Sequence, residues 1–599
     1  MKIRVLFGTA LAFAAAGGIH VTSAPQQTAG NRLDPMDPLS VARTLCGGPD
    51  GNGFLKRRAA FLTAASAYAQ DAGLGEGAAT DPVTGLGPSY LEITTGSGEA
   101  RQQFLQGLRW ANAFNHAAAI QSFRAAQAAD PDCAMCLWGE SWALGPNINA
   151  PMNPDDNARA LETARAALAR SDSAGPTEQA LINALQTRYS DAPDADRAAL
   201  DAAFADAMAG AADAYPDNDE IQSLAVEAAM DTQAWDYWEA DQLTSKGRMG
   251  AALQRLERVL TRNPDHAPSI HLYIHATEAS ANPWRAEPYA ERLAALAPRA
   301  GHLVHMPSHT YYRIGRFADS IETNIDAVVA DEAYLDAAGE DASPVYRYGY
   351  YPHNVHFVLT SAQRAGDAQT VAAFGPKLAE ALPPEMAKTA AWVTPIAAAP
   401  TLAAVQFEAP ETILARSAPP DGAHDFLKAA ALYARGEAQA RSGDAPAARE
   451  TAEEISALKA EGDFQDLIDG FVPALEVVEI MHQVVLGRAA VADEDYAAAI
   501  DHFGAAATIQ DALPYTEPPY WYYPVRQSYA AALLMDRQIP RAEQEFYRTL
   551  VQNPDNAWAY WGLAMAREAR GDVDGAALAR QQAGRGWLGE EGGPSLDQL

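Results

Sequence analysis

The chain is short of cysteine, of basic residues and of long apolar runs, and each shortage excludes something. Its cysteines are Cys46, Cys133 and Cys136. The last two form Cys-Ala-Met-Cys followed by Leu137, without the histidine that c-type haem attachment needs. They read as small buried residues at a helix start, as a disulfide in an oxidising compartment, or as metal ligands. Lysine and arginine number 44 against 77 aspartates and glutamates, a net charge of −33 with pI near 4.7. That balance leaves no basic footprint for nucleic acid and none for an anionic membrane surface. Acidity helps an exported protein stay soluble but names no partner. Runs of β-branched residues are scarce, alanine abounds and 48% of residues are hydrophobic, which favours helices over sheet. There is no Ser-His-Asp elbow, phosphate-binding glycine loop or HExxH zinc motif.

One apolar run stands at the N-terminus. Lys2 and Arg4 precede it, it extends from Val5 to about Gly18, and small residues follow at Ser23 and Ala24. This is the pattern of a cleaved signal peptide over 1–24, too short for a confident membrane span. No later segment approaches eighteen uninterrupted apolar residues. The expectation is a periplasmic or secreted protein with no membrane span in the mature chain.

A fixed period organises the rest. Pro264 and Pro298 lie 34 residues apart, each closing one helix just before another. Counting the closing proline as position 32 puts Gly315-Arg316-Phe317 at the turn, positions 15–17, and Ala327 at the small-residue position 27. Gly107, Ala119, Phe123, Ala126 and Pro131 fit the same ruler, as do Gly443-Asp444, Tyr496 with Phe503, Phe546 with Pro554, and Gly571-Asp572. Thirty-four residues is the tetratricopeptide (TPR) period, so the expected fold is all-α, a helix-turn-helix solenoid in a right-handed superhelix. The expected organisation after the signal peptide is an irregular segment over 25–95, a TPR block over 96–382, a Pro/Ala-rich junction over 383–425, a second TPR block over 426–590 and a tail over 591–599. Pro216 and Pro264 are 48 residues apart, so about 14 extra residues sit near TQAWDYW. A tyrosine-rich insertion covers roughly residues 331–351.

Thirteen histidines spread evenly over 599 residues would put about two between residues 271 and 356; seven are there. Their repeat positions carry the inference. His271 and His275 take positions 5 and 9 of one first helix; His302, His305 and His309 take 2, 5 and 9 of the next. His353 and His356 take 2 and 5 of a third, with the register set by Gly366-Asp367. Positions 2, 5, 9 and 12 share one helix face. Adjacent helices pack about 8–10 Å apart, so imidazoles from three successive helices can converge. Glu278 is at position 12 of the same face, and Glu227 reaches position 9 of an earlier repeat.

Clustered imidazoles suit zinc, copper, iron or nickel. Seven exceed the needs of one ion, so either two ions bind or some histidines orient others. Two ions each held by three imidazoles would be copper-like, whereas recruiting Glu227 and Glu278 would favour zinc or iron. Copper or zinc is therefore expected first, with iron as a third choice. The alternatives are polar residues satisfied inside a helical stack, and a groove whose histidines change charge near pH 6–7. Pro307 deletes a helix hydrogen bond and either kinks the site or sits in a tolerant first turn. Tyr311, Tyr312, Arg313, Tyr350 and Tyr351 read as groove packing rather than redox groups. His116, His266, His424, His482 and His502 read as structural or solvated.

The segments AFNH (113–116), DPDCAMCLWGE (130–140), GPNINAPM (145–152), HLYIHATEAS (271–280), HLVHMPSHTYYRIGRF (302–317), YYPHNVHF (350–357) and EPPYWYYPVRQSYAAALL (517–534) resemble a little-characterised family of bacterial exported TPR proteins. The resemblance spans most of residues 95–590. It implies the solenoid, with the histidine face lining a concave, solvated groove, and supplies no reaction. Two functions remain open. One is a metal centre with an open coordination position, acting on a small molecule or peptide with Glu278 or Glu227 carrying protons. The other is a scaffold that binds a protein or peptide partner, its histidines structural, metal-clamping or pH-sensing.

Overall fold

A 34-residue period with glycine or aspartate at its turns demands paired antiparallel helices, and the computed structural model has them. It describes residues 83–89, 91–339, 342–382, 393–416, 419, 422–470 and 472–599. The expected signal peptide, Cys46 and most of the segment 25–95 lie outside the described residues. The helices follow in pairs: α1 (Gly98–Asn112) with α2 (His116–Ala129), α3 (Ala134–Ala143) with α4 (Asn157–Leu168), α5 (Pro176–Leu185) with α6 (Arg197–Ala214), and α7 (Asp219–Asp231) with α8 (Met249–Arg262). Then come α9 (Ala267–Glu278) with α10 (Glu287–Leu296), and α11 (Gly301–His305) and α12 (Pro307–Arg313) with α13 (Phe317–Ala338). Next are α14 (Tyr351–Ala365) with α15 (Ala368–Ala381) and α16 (Thr394–Phe407) with α17 (Pro410–Leu414). The last are α18 (Asp425–Arg441) with α19 (Ala445–Glu461), the short α20 (Gln465–Asp469), α21 (Ala474–Ala492) with α22 (Tyr496–Asp511), α23 (Val525–Met535) with α24 (Ile539–Gln552), and α25 (Ala557–Ala569) with α26 (Val573–Gly586). Partners within a pair pack together, and so do several successive first helices, such as α7 with α9 and α18 with α21. Among the described residues there is no strand, only the isolated bridges Asn147–Ala150 and Trp238–Ser245.

The turns explain the regularity. Asn115, Asp367, Asp444, Asp495 and Asp572 each cap a second helix, the side chain accepting the backbone N–H three residues on. Losing such a cap costs about 1 kcal/mol. The residue before the cap is left-handed: Gly366, Gly443 and Gly571 take φ of 77°, 81° and 83°, where glycine meets no Cβ penalty. In the first repeat that slot holds Phe114, at φ 56°. Between the helices, glycine faces phenylalanine. A β-carbon on Gly107 would come within 2.7 Å of the Phe123 ring, and one on Gly487 within 2.7 Å of Phe503. Such a contact leaves no room for a methyl group, so the small–large pairing fixes how closely helices approach.

The solenoid coils tightly enough to touch itself. The carbonyl of Asn112 reaches His271, Asn149 reaches the Tyr350 hydroxyl at 3.3 Å, and Arg299 N–H donates to the Gly85 carbonyl at 2.9 Å. Later, Trp558 Nε1 donates to the Gln363 carbonyl at 3.1 Å and Leu588 N–H to that of Ala365 at 2.8 Å. The face expected to line a solvated groove is therefore interior: six of its seven histidines are at most 7% exposed. The extra residues near TQAWDYW form a turn around the Trp238–Ser245 bridge. The tyrosine-rich insertion lengthens α13 and ends in a π-helical turn, Tyr346–Tyr350, that runs into α14. Cys133 and Cys136 form a disulfide at the start of α3. Within 383–425 the chain forms α16, packed against α14 and α18. At the C-terminus Leu599 is buried, its carbonyl 3.5 Å from Arg488 Nη2.

Candidate metal centre

Three first helices meet at the centre of the fold. Every residue of α9 from Ala267 to Glu278 is buried, and His271, His275 and Glu278 fall on one of its faces. The next first helix is broken at Met306, where α11 ends and α12 starts with Pro307 at its N1 position. Of the two expectations for Pro307, the tolerant first turn is what occurs: Met306 keeps helical dihedrals, φ −51° and ψ −38°, and the missing N–H of Pro307 falls at a helix start. The interruption lies between His305 and His309. His353 and His356 enter on the first turns of α14.

Six of the seven histidines sort into two triads. His271, His275 and His302 form one; His305, His309 and His353 form the other; in each, one ligand atom per residue lies within 4.8 Å of the rest. The triads adjoin, with 5.7 Å between the ring centres of His275 and His309 and 6.0 Å between those of His302 and His305. Outer hydrogen bonds fix which nitrogen faces inward. His271 Nδ1 lies 2.8 Å from the Asn112 carbonyl, and His275 Nδ1 lies 2.9 Å from Glu278 Oε1. His305 Nδ1 lies 2.6 Å from Asn324 Oδ1, an amide oriented by its own donation to the Ser320 carbonyl at 2.7 Å. His309 Nδ1 bonds Glu278 Oε2 and lies 2.8 Å from Glu517 Oε2. Each of these partners accepts only, so Nδ1 must carry the proton, and in the neutral rings of His271, His275 and His305 Nε2 presents a bare lone pair.

Those lone pairs converge. His305 Nε2 and His309 Nε2 are 2.7 Å apart, and His271 Nε2 and His302 Nε2 are 3.1 Å apart. His275 Nε2 and His302 Nδ1 are buried with no hydrogen-bond partner, a cost of about 1–3 kcal/mol for each such group. Two ring nitrogens facing at 2.7 Å need a proton or a metal cation between them. Ligand nitrogens 2.0–2.1 Å from a tetrahedral ion stand about 3.3 Å apart; one pair in each triad is near that spacing or inside it, and the third nitrogen lies no farther than 4.8 Å. The donor set is the imidazole set that suits copper and zinc.

Charge follows the same design. Burial, with the neighbouring histidines, pushes His271, His275, His302, His305 and His353 well below the ordinary histidine range, so they are neutral and ready to coordinate. His309 differs: burial opposes its charge, but the Glu278 and Glu517 carboxylates outweigh it and lift it to about 10. A proton shared from His309 toward His305 thus holds the place a cation would take. Glu517, buried and beside Glu278, is pushed up to about 7 against the pull of His309. Glu278 touches both triads through its two oxygens.

Aromatic rings close the walls. Phe114 lies 4.4, 5.9 and 5.2 Å from the rings of His271, His275 and His302. Phe357 lies 4.9, 4.9 and 5.0 Å from those of His305, His309 and His353. Trp235, from the TQAWDYW turn, meets His275 edge-on at 5.1 Å, and Tyr350 covers His302 at 4.8 Å. Two cavities flank the segment that carries Glu517. One, of about 240 Å³, is lined by His353, His356, Ile396, Leu402, Tyr522 and Glu517. The other, of about 150 Å³, lies on the Arg313 and Arg364 side.

Beyond Glu278, which bonds both triads from outside, two expected residues fall outside them. His356 lines the larger cavity with its Nδ1 unpartnered, and burial lowers it to about 3. Glu227 is buried away from these groups, beside Arg188 and Asp231, and burial raises it to about 7. Of the other histidines, His266 and His424 cap helices and His116 bonds the Ala143 carbonyl at 2.9 Å. Glu517 and Phe114 went unassigned in the sequence. Phe114 left a signal, because it occupies the turn position that holds glycine in other repeats. Glu517 begins the EPPYWYYP segment, but nothing local ties it to a histidine 208 residues away.

No family model matches the chain, and no curated protein matches it. Among solved structures it is similar to human IFIT1, seen as a dimer with PPP-AAAA, at 13% identity over 80% of this chain and 89% of that one, TM-score 0.28. It is also similar to yeast Tom70, at 12% identity over 81% and 91%, TM-score 0.25. A third is the APC/C hetero-tetramer Cut9-Hcn1, at 12% over 81% and 86%, TM-score 0.22. Superpositions this loose carry no argument, and the solenoid assignment rests on the helix pairing itself.

Proposed function

We propose that this is an exported metalloprotein whose paired triads hold two transition-metal ions, forming an open-coordination centre that acts on a small molecule. The observation that carries the reading is the set of outer bonds to Nδ1, which leaves bare Nε2 atoms of both triads pointing inward. Copper is favoured over zinc, with iron third, because each triad is wholly imidazole and the nearby carboxylates are occupied on Nδ1 protons. Three protein ligands per ion leave a position for substrate. Bound there, such an ion supplies Lewis acidity that polarises a substrate or activates water.

The chain's own residues do the rest. Glu278 holds one Nδ1 proton from each triad and so ties their geometry together. Glu278 and Glu517, both on His309, are the candidate proton carriers, and Glu227 lacks this contact. The larger cavity reaches His353 from an apolar side, which suits entry of a small, largely neutral molecule. Its apolar lining, and the burial of the other triad, weigh against a long peptide lying along the histidines. The Cys133–Cys136 disulfide agrees with an extracytoplasmic location.

Elemental analysis of untagged protein tests this. Two equivalents per chain are expected, falling to one or none in His305→Ala and in His271→Ala. Sub-stoichiometric metal, unchanged by either substitution, would sink the reading.

A further inference from the structure

The smaller cavity, behind Glu517, has a chemistry of its own. Its walls include Arg313, Arg364, Tyr312, Tyr515, Asn553 and Glu517. Arg364, in the last turn of α14, is 5% exposed, and no carboxylate of the described residues lies within ion-pair distance of it. It bonds Asn553 Oδ1 through Nη2, and its Nε has no partner. The Tyr312 hydroxyl is also buried without a partner, while that of Tyr515 faces Glu517. Arg313 spends its Nε on the Glu278 carbonyl at 2.8 Å and stands 3.8 Å from Glu517 Oε1, itself an unpartnered acceptor.

A buried guanidinium with no counter-charge is costly, and here it sits in a protein with 77 acidic residues to choose from. Paired with an unpartnered hydroxyl beside a cavity, it describes a receptor for an anion. We propose that this cavity binds a small organic carboxylate, gripped by Arg364 and hydrogen-bonded by the Tyr312 hydroxyl. The planar guanidinium fork matches a carboxylate. The charge count also selects a monoanion: Arg313 already faces Glu517, so one positive charge is left over, and a phosphate dianion would bring a second negative charge against that glutamate. A volume near 150 Å³ suits a molecule of a few heavy atoms, since a cavity of about this size accommodates benzene. The site stands independently of the metal reading.

Calorimetric titration of the full chain, freed of metal by dialysis against a chelator, tests it with acetate, propionate, acetamide and inorganic phosphate as probes. Acetate and propionate should bind at one saturable site, acetamide should not, and phosphate should bind more weakly than acetate. Arg364→Gln should weaken acetate binding at least about tenfold while leaving the circular dichroism and the melting temperature in carboxylate-free buffer unchanged or raised. Tyr312→Phe, which keeps the ring, should weaken it about threefold. The proposal fails if no carboxylate saturates, if phosphate binds as tightly as acetate, or if Arg364→Gln binds acetate like the wild type. Binding seen only in metal-loaded protein and insensitive to Arg364→Gln would place the carboxylate on the metal, overturning the cavity site while leaving the metal centre standing. Metal content, measured separately, reports on that centre alone.

Discussion

In the triad of His271, His275 and His302 every ring is buried, Phe114 covers one side, and the outer acceptors are a backbone carbonyl and Glu278. In the triad of His305, His309 and His353 the last ring is half-buried beside a cavity, and the outer acceptors are side chains, Asn324, Glu278 and Glu517. A backbone carbonyl can be neither titrated nor moved without moving its helix; a glutamate on a segment between two cavities can be both. On the proposed reading the first triad would hold its ion and the second would exchange ligand and proton, and Glu278 joins them.

His309 is where the comparison breaks most completely. Replacing it by alanine removes a ligand of the second triad and leaves Glu278 and Glu517 as buried carboxylates without their common cation. The expected cost is about 3–5 kcal/mol of stability, together with loss of the second metal equivalent. Denaturant unfolding and elemental analysis on the same preparation check both. His305→Ala keeps the Glu–His–Glu cluster, so it should lose that metal with a smaller loss of stability. Equal destabilisation by the two would show that the carboxylates do not depend on His309.

Glu517→Gln sharpens the difference rather than breaking it. Glutamine keeps the shape and can still accept the His309 Nδ1 proton, but without charge it lowers ligand basicity. Metal affinity at the second triad should fall about 10- to 100-fold, with little change at the first. Competitive titration with a chelator should resolve a weakened class of site beside an unaltered one. A uniform weakening of both would mean that the triads do not act separately.

How much of this could be read beforehand divides by distance along the chain. The solenoid was legible because each turn repeats a local signal, such as Gly443-Asp444 or Gly571-Asp572, every repeat. The pairing of His271 with His275 and of His305 with His309 was legible for the same reason, since i, i+4 spacing and the 34-residue offset are properties of the helices alone. Burial was not, because it comes from the solenoid closing on itself, which brings Asn112 to His271 and Glu517 to His309. No repeat register encodes those contacts. His356 shows the limit from the other side: its spacing from His353 is correct for a shared face and both line the larger cavity, yet only His353 joins a triad. Glu227 has the expected position in its repeat, but the turn that carries Trp235 and Tyr237 intervenes, and its charged neighbour is Arg188.

The smallest expected effect concerns the brace between the two triads. Asp331, fully buried on α13, accepts from the Tyr346 hydroxyl at 2.6 Å and from Asn354 Nδ2 at 2.7 Å, and it lies against Gly301 at the start of α11. It therefore ties the helix that carries His302 to the one that carries His353. Burial raises its carboxyl to about 7, against the help of Tyr346 and Asn354, whereas an unfolded aspartate titrates near 3.9. A raised value in the folded state means that the native protein binds this proton more tightly. Its contribution is complete below about pH 4 and is lost as pH rises through about 7. Asp331→Asn carries no titration, so the wild type should lose about 1–2 kcal/mol relative to the variant between pH 6 and pH 8. Paired urea unfolding at the two pH values measures this directly. A difference that stays constant with pH would mean that the carboxyl is ionised throughout and that Tyr346 and Asn354 meet its charge in full.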